Sequence, residues 1–231
     1  MGILFAARQF FAFRKAALTR RAFWTYLLTA VLIASNWLVY VWAVNHNFII
    51  EASLGYFINP LISVTLAVLF LRERLRPIQW IPITLAAVGV GYLTLVYGRI
   101  PWIALYLAFS FSLYGLVKKL APLGSLFGLT LETGILFIPA LIFLVCANIF
   151  GGGAFLRENR ATDSLLIGAG GITSLTLFMF SFAAQKLPLS VLGIMEYVAP
   201  TLAFLLGMLV YNWTLAFLKK DRATSVLCGK V

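Results

Sequence analysis

Three glutamates and one histidine carry the titratable chemistry of this sequence. Glu51, Glu132 and Glu196 lie in or beside long apolar runs. An ionised carboxylate there is costly, and its default reading is functional: holding a cation, or loading and releasing a proton. Glu196, seven residues into its run and directly before Tyr197, is the strongest of the three. Glu132 falls in the first turn of its run, where the helix dipole favours negative charge, and Glu51 sits at the mouth of another beside Asn45 and His46. For these two a structural role stands beside the titrating one. Ala52, Tyr56, Asn59 and Ser63 recur at spacings of 4, 3 and 4, one face of an otherwise oily helix. Asn36 with Trp37, and Ser110 with Tyr114, extend that set. Such groups suit a pathway for a small molecule, or equally hydrogen bonds between helices with no ligand contact. No phosphate loop, zinc-ligand spacing or nucleophile triad occurs, so no catalytic residue, metal or cofactor is expected. An intramembrane enzyme would need a second His or Asp within a run. Cys146 lies inside an apolar stretch and Cys228 in a polar tail, which makes no disulfide framework.

The elements that position these groups must be membrane helices. Of 231 residues 62% are hydrophobic and only 11% charged, with mean hydropathy +0.99, too apolar for a water-soluble domain or for disorder. Seven runs are long enough to cross a bilayer as helices: 27–44, 51–71, 79–97, 101–117, 128–149, 164–183 and 189–211. Stretches such as Leu61 to Leu71 are apolar on every face, which excludes a β-barrel. The net charge of +11 is dispersed between the runs and forms no stripe, so a nucleic-acid partner is not expected. Its distribution instead sets topology. Arg8, Arg14, Lys15, Arg20, Arg21, Arg72, Arg74, Arg76, Lys118, Lys119 and Lys186 fall on one side, and Arg99, Arg157 and Arg160 on the other. The richer side is cytoplasmic, with the N-segment on it. The basic tail after Tyr211 then falls on the wrong side, which marks a departure from the parent architecture near that residue.

An internal repeat appears at an offset of 140, pairing Ala43 with Ala183, Pro60 with Pro200, Leu66 with Leu206 and Leu69 with Leu209. The offset carries the second run onto the seventh, an odd number of crossings, so the copies face opposite ways, as in many secondary transporters. Each proline donates no hydrogen bond to the carbonyl four residues back, which frees Tyr56 and Glu196 near mid-membrane. Paired kinks at that depth point to a central pathway; a plain packing kink is the alternative at either proline. Trp37 is deep enough for a cavity wall, the remaining tryptophans suit interfacial anchors, and Gly168, Gly170 and Gly171 would allow close helix packing.

Asn36-Trp37, Trp42-Ala-Val-Asn45, Glu51 through Pro60, Leu71-Arg-Glu-Arg-Leu75, Gln79-Trp80, Ala108 through Lys118, Leu131-Glu-Thr133, Pro139, Tyr197 and Pro200-Thr201 closely resemble the RarD branch of the EamA-type drug/metabolite transporter superfamily. The resemblance covers about residues 20 to 211. It implies an all-α, polytopic membrane helix bundle of inverted repeats, with about seven of the family's ten transmembrane helices present. The implied function is a secondary exporter or permease of small drug-like or metabolite molecules, multi-pass in the bacterial inner membrane, its partners being the bilayer, the small-molecule substrate and, compatibly, a second copy in a homodimer. The substrate pathway would comprise Asn36, Trp37, Tyr56, Asn59, Pro60, Ser63, Ser110, Tyr114, Tyr197 and Pro200, with Glu196, Glu132, Glu51 and His46 as proton-coupling candidates. The expected organisation is a basic cytoplasmic N-segment with the stub of a helix (1–26), the rest of a first repeat (27–97), a second repeat of four helices (98–211) and a divergent basic tail (212–231). A truncated, transport-deficient protein or a structural interaction subunit is the alternative.

Overall fold

The computed structural model describes residues 19–98, 100–149 and 159–209. Within them every regular element is helical: α1 (Arg20–Asn45), α2 (Ile49–Leu71), a 3-10 turn (Pro77–Gln79), α3 (Trp80–Tyr97), α4 (Trp102–Lys119), α5 (Ser125–Ile149), α6 (Arg160–Lys186), α7 (Leu189–Glu196) and α8 (Val198–Leu209). The chain is thus a polytopic α-helical membrane protein. α1, α2, α5 and α6 are long and apolar enough to cross a bilayer by length and composition. α3 and α4 have 18 residues each. The N-segment to residue 18, Arg99, Gly151 to Gly153, Arg157, the tail 212–231 and Cys228 lie outside the described residues. Cys146 is free and exposed on α5.

Local chemistry accounts for the helix ends. α1 stops at His46, and Asn47 follows in the left-handed region (φ 64°), letting the Phe48 amide reach back to the Ala43 carbonyl at 2.8 Å. α2 ends on left-handed Arg72 (φ 53°), and α3 on Gly98 (φ 69°), where glycine pays no Cβ penalty. Asn159 caps α6, its side chain accepting from the Thr162 amide at 2.8 Å.

Two compact units divide between Ile194 and Met195. In the first, α2 and α4 form the spine. Half of the apolar window of α2 is buried, against 6% for α6, so α2 is an inner helix and α6 an outer one. Small residues bring the spine together: a Cβ added at Gly55 would stand 3.3 Å from the Ala104 carbonyl oxygen and from Leu107 Cβ. Close packing matters more here than apolar burial, since lipid tails are as apolar as leucine. Leu54, Ile58, Ala104 and Ala108 fill that contact. Ala43, Ala52, Ile103 and Leu107 tie in α1, and Leu66, Ala67, Leu116, Ala184, Leu189 and Leu192 tie in α6 and α7. The packing glycines are not those expected. Gly168, Gly170 and Gly171 meet nothing within 4 Å, because α6 turns that face outward, whereas Gly193 faces the Pro60 carbonyl and Ser63.

The run expected at 189–211 is two helices. Tyr197 interrupts it, and Pro200 becomes the third residue of α8, in a first turn where its missing N–H costs least. Thr201 Oγ1 donates to the Tyr197 carbonyl at 2.7 Å. Pro60, by contrast, stays inside an unbroken α2. The two prolines, matched in the sequence at an offset of 140, therefore do not share a helix geometry.

Candidate functional site

The polar stripe of α2 turns inward onto α4. Asn59 and Ser63 are buried, Ser63 Oγ lies 3.1 Å from Ser112 Oγ, and Ser112 Oγ reaches Asn59 Oδ1 at 2.7 Å. Pro60 is buried beside them and Ala52 packs against α1 and α4. Tyr56 departs from the stripe: it is 52% exposed, its ring meeting the Tyr40 ring edge-on at 6.0 Å. Asn36, halfway along α1, donates from Nδ2 to the Leu107 carbonyl and to Ser110 Oγ, both at 2.8 Å. The structure thus joins Asn36 with Ser110, and Asn59 with Ser63 through Ser112, as interhelical hydrogen bonds. Trp37 is exposed on α1.

Nearer the end where α1 begins and α4 ends, the chain buries a charge pair. Lys118 Nζ lies 2.5 Å from Glu132 Oε2, and both residues are 1% exposed. Thr29 Oγ1 donates to the same carboxylate at 2.9 Å. The Lys118 ammonium stands 5.3 Å from the ring centres of both Tyr26 and Tyr114, close enough for a cation–π attraction. Tyr114 is fully buried, its ring stacked on Phe180 at 6.0 Å and its hydroxyl beside Glu132 and Ser181. A knot of hydrogen bonds closes the cluster: Leu123 carbonyl accepts from Tyr26 OH at 3.0 Å and from Gln185 Nε2 at 2.8 Å, and Ser125 Oγ donates to Gln185 Oε1. Gly128 makes room for it, since a Cβ there would fall 2.5 Å from the Tyr26 hydroxyl.

Two expectations change here. α5 begins at Ser125 rather than 128, so Glu132 is not in a first turn; at ~1.5 Å per residue it lies about 10 Å into the helix, paired with a cation rather than facing the dipole. Lys118 is not a loop cation but the inward side chain of the last turn of α4. Its signal was present: Ser110, Tyr114 and Lys118 recur at spacings of 4 on one face. Thr29, Tyr26 and Ser181 carried no local signal, because their partners lie far away in sequence.

Lys119, one residue on, points elsewhere. It donates to the Leu187 carbonyl at 2.5 Å and stands 3.9 Å from Glu73 Oε1. Glu73 caps α7, accepting from the Leu189 amide at 2.8 Å, the Ser190 amide at 2.9 Å and Ser190 Oγ at 2.7 Å. Burial alone would raise the Glu73 pKa, but the Ser190 and Leu189 donors, with Lys119 nearby, hold it below its usual range. Beside it Arg74, Arg76, Gln79, Pro188, Ser190 and Val191 line an open cleft of about 400 Å³.

At the opposite end His46 stacks on Trp42 at 4.7 Å, with Nδ1 2.9 Å from the Trp42 carbonyl, and Phe48 and Trp102 complete an aromatic collar. Glu51 is buried in the first turn of α2. Glu196 ends α7, and Tyr197 and Pro200 follow it in the second unit. Among the described residues no three metal-binding side chains come together.

The EamA-like transporter family model matches residues 1–95. An uncharacterized transporter, YojE, of Bacillus subtilis is 48% identical over 186 residues, 80% of this chain and 61% of its own length. Protein RarD of Streptomyces exfoliatus is 45% identical, over 80% of this chain and 59% of its own length. Protein RarD of Salmonella typhi is 39% identical over 212 residues, 92% of this chain and 72% of its own. The chain spans about three fifths of the length of the first two. No solved structure matches.

Proposed function

From the premise that the chain belongs to the RarD branch of the EamA-like drug/metabolite transporter superfamily, we propose that it serves a secondary transporter. The transporter moves small drug-like or metabolite molecules across the bacterial inner membrane, by alternating access between inverted halves. The observation that carries this reading is the Lys118–Glu132 pair sealed among apolar helices. Charges at such a place are expensive and mark pathways or proton relays. Glu132 is the coupling carboxylate this favours, and the polar contacts of Asn36, Ser110, Asn59, Ser63 and Ser112 line the route between α1, α2 and α4. The sequence carries no nucleotide-binding loop, so coupling is to an ion or substrate gradient. Flux in proteoliposomes tests this: wild-type chain should carry substrate faster under an imposed pH gradient, and Glu132→Gln should lose that dependence. Equal pH dependence in the folded variant would move the role to Glu196. We further propose that the N-segment and the end bearing Lys119 and Arg72 to Arg76 are cytoplasmic. In a chain cleared of Cys146 and Cys228, an impermeant thiol reagent outside intact cells should label Asn47→Cys and spare Ile78→Cys, both exposed positions.

A further inference from the structure

The connection from α2 to α3 leaves two guanidinium groups without an anion. Arg74 and Arg76 are exposed and line the open cleft of about 400 Å³ together with Gln79, Pro188 and Ser190. Among the described residues neither arginine makes an ion pair. The described carboxylates of the same unit are engaged elsewhere. Glu73, which shares the cleft, is taken up by the Leu189 and Ser190 amides and by Lys119; Glu132 is held by Lys118; Glu51 and Asp163 stand in the first turns of α2 and α6, at the far ends of those helices. Gln79 adds a donor. Its Oε1 accepts from the Arg76 N–H at 2.7 Å, which leaves its NH2 group without an acceptor among the described residues. Two uncompensated guanidinium forks and an amide donor in one cleft suit an anion with several oxygens, and phosphate fits that geometry.

We propose that this cleft binds the phosphate headgroup of an anionic phospholipid, with Arg74, Arg76 and the Gln79 amide as donors. Its place in the fold selects a lipid over a soluble phosphate. α2 ends at Leu71 and α6 at Lys186, both helices long enough to cross a bilayer. Lys119 joins the two ends, donating to the Leu187 carbonyl while standing 3.9 Å from Glu73, so the cleft lies at headgroup level. Apolar side chains at the same end are open to acyl chains: Leu69, Phe70, Ile78, Trp80 and Ile81 are each 51% to 72% exposed. A soluble phosphate would leave them untouched. Basic pockets between helix ends are where anionic headgroups bind, and the volume falls within the range of small-ligand clefts, about 300–1,000 Å³. Arg72 supplies an internal comparison, since it belongs to the same connection and is exposed but does not line the cleft. The inference goes beyond transport: neither the Lys118–Glu132 pair nor the polar contacts of α1, α2 and α4 take part in it.

Native mass spectrometry and melting curves of the detergent-purified full chain test this, with dioleoyl phosphatidylglycerol, dioleoyl phosphatidylcholine and glycerol phosphate as probes. Phosphatidylglycerol should be retained and should raise the melting temperature. Phosphatidylcholine, whose phosphate is neutralised by its own choline, should bind at least about tenfold more weakly, and so should glycerol phosphate, which brings the anion without the chains. Arg74→Gln with Arg76→Gln should weaken phosphatidylglycerol binding on the order of twentyfold, from about fivefold for each arginine. Both side chains are exposed, so the melting temperature without lipid should stay as in wild type. Gln79→Glu keeps the acceptor for the Arg76 amide but loses the NH2 donor, and should also weaken binding. Arg72→Gln removes the same charge outside the cleft and should change binding less than about twofold. The proposal is overturned if the two lipids bind alike, if the double variant binds as wild type, or if Arg72→Gln costs as much as either cleft arginine, which would leave diffuse surface charge only. Glycerol phosphate binding as tightly as phosphatidylglycerol would overturn the lipid and make a soluble phosphate ester the ligand. None of these outcomes depends on whether the chain transports.

Discussion

Lys118 and Lys119 are adjacent in sequence and meet opposite fates. One helical step of about 100° turns Lys118 into the bundle, against Glu132 and two tyrosine rings, and Lys119 out to Glu73 at the end of α7. The inner pair is 2.5 Å apart and sealed; the outer is 3.9 Å apart with side chains 20% and 15% exposed. Water screens the outer pair and leaves it little to contribute. Nothing screens the inner pair, so each partner is tolerable only while the other is present. Two ion pairs of the same residue types thus answer to different physics, and a residue's neighbours in sequence say little about which.

The comparison breaks most sharply at Lys118. Lys118→Met should cost ~3–5 kcal/mol by stranding a buried carboxylate, read as a lowered denaturation midpoint in detergent, while Lys118→Met with Glu132→Leu should recover most of it. A double variant as unstable as the single one would show that the charges do not compensate each other. Next in size is Gly128→Ala, which forces the Tyr26 hydroxyl aside and should cost ~1–3 kcal/mol by the same measurement. The smallest effect belongs to the outer pair. Lys119→Ala should cost no more than ~1 kcal/mol. Because the folded pKa of Glu73 is depressed, its contribution is intact above the usual value of 4.5 and is lost as pH falls through the lower folded value. Glu73→Gln should flatten the acid limb of a stability-against-pH curve below about 4.5.

Helical membrane architecture was legible because it depends on composition and run length, which are local. The polar stripe was legible for the same reason, through the spacing of Asn59 and Ser63, and Asn36 and Ser110 meet as a pair. What failed was register at helix ends. Beginning α5 three residues early moves Glu132 from a dipole-favoured terminus into the interior, and ending α4 at Lys119 rather than 117 moves Lys118 from loop to core. A charge count by side cannot see this, since it treats every lysine between two runs as solvated. The Thr29–Glu132 bond joins residues 103 positions apart, and no periodicity spans that distance. The break at Tyr197 was hidden by a run apolar enough to pass for one helix.

The Leu123 carbonyl has a practical consequence for anyone inserting an epitope or a protease site into this chain. By length and exposure the connection from Leu120 to Gly124 looks a tolerant place for either. Yet its backbone oxygen is the shared acceptor for a side chain of α1 and another of α6, directly beneath the charge pair. Lengthening that connection would uncork the interior as well as decorate the surface, admitting water to Lys118 and Glu132. The turn at Asn47, whose backbone closes on α1 alone, is the better place for a tag.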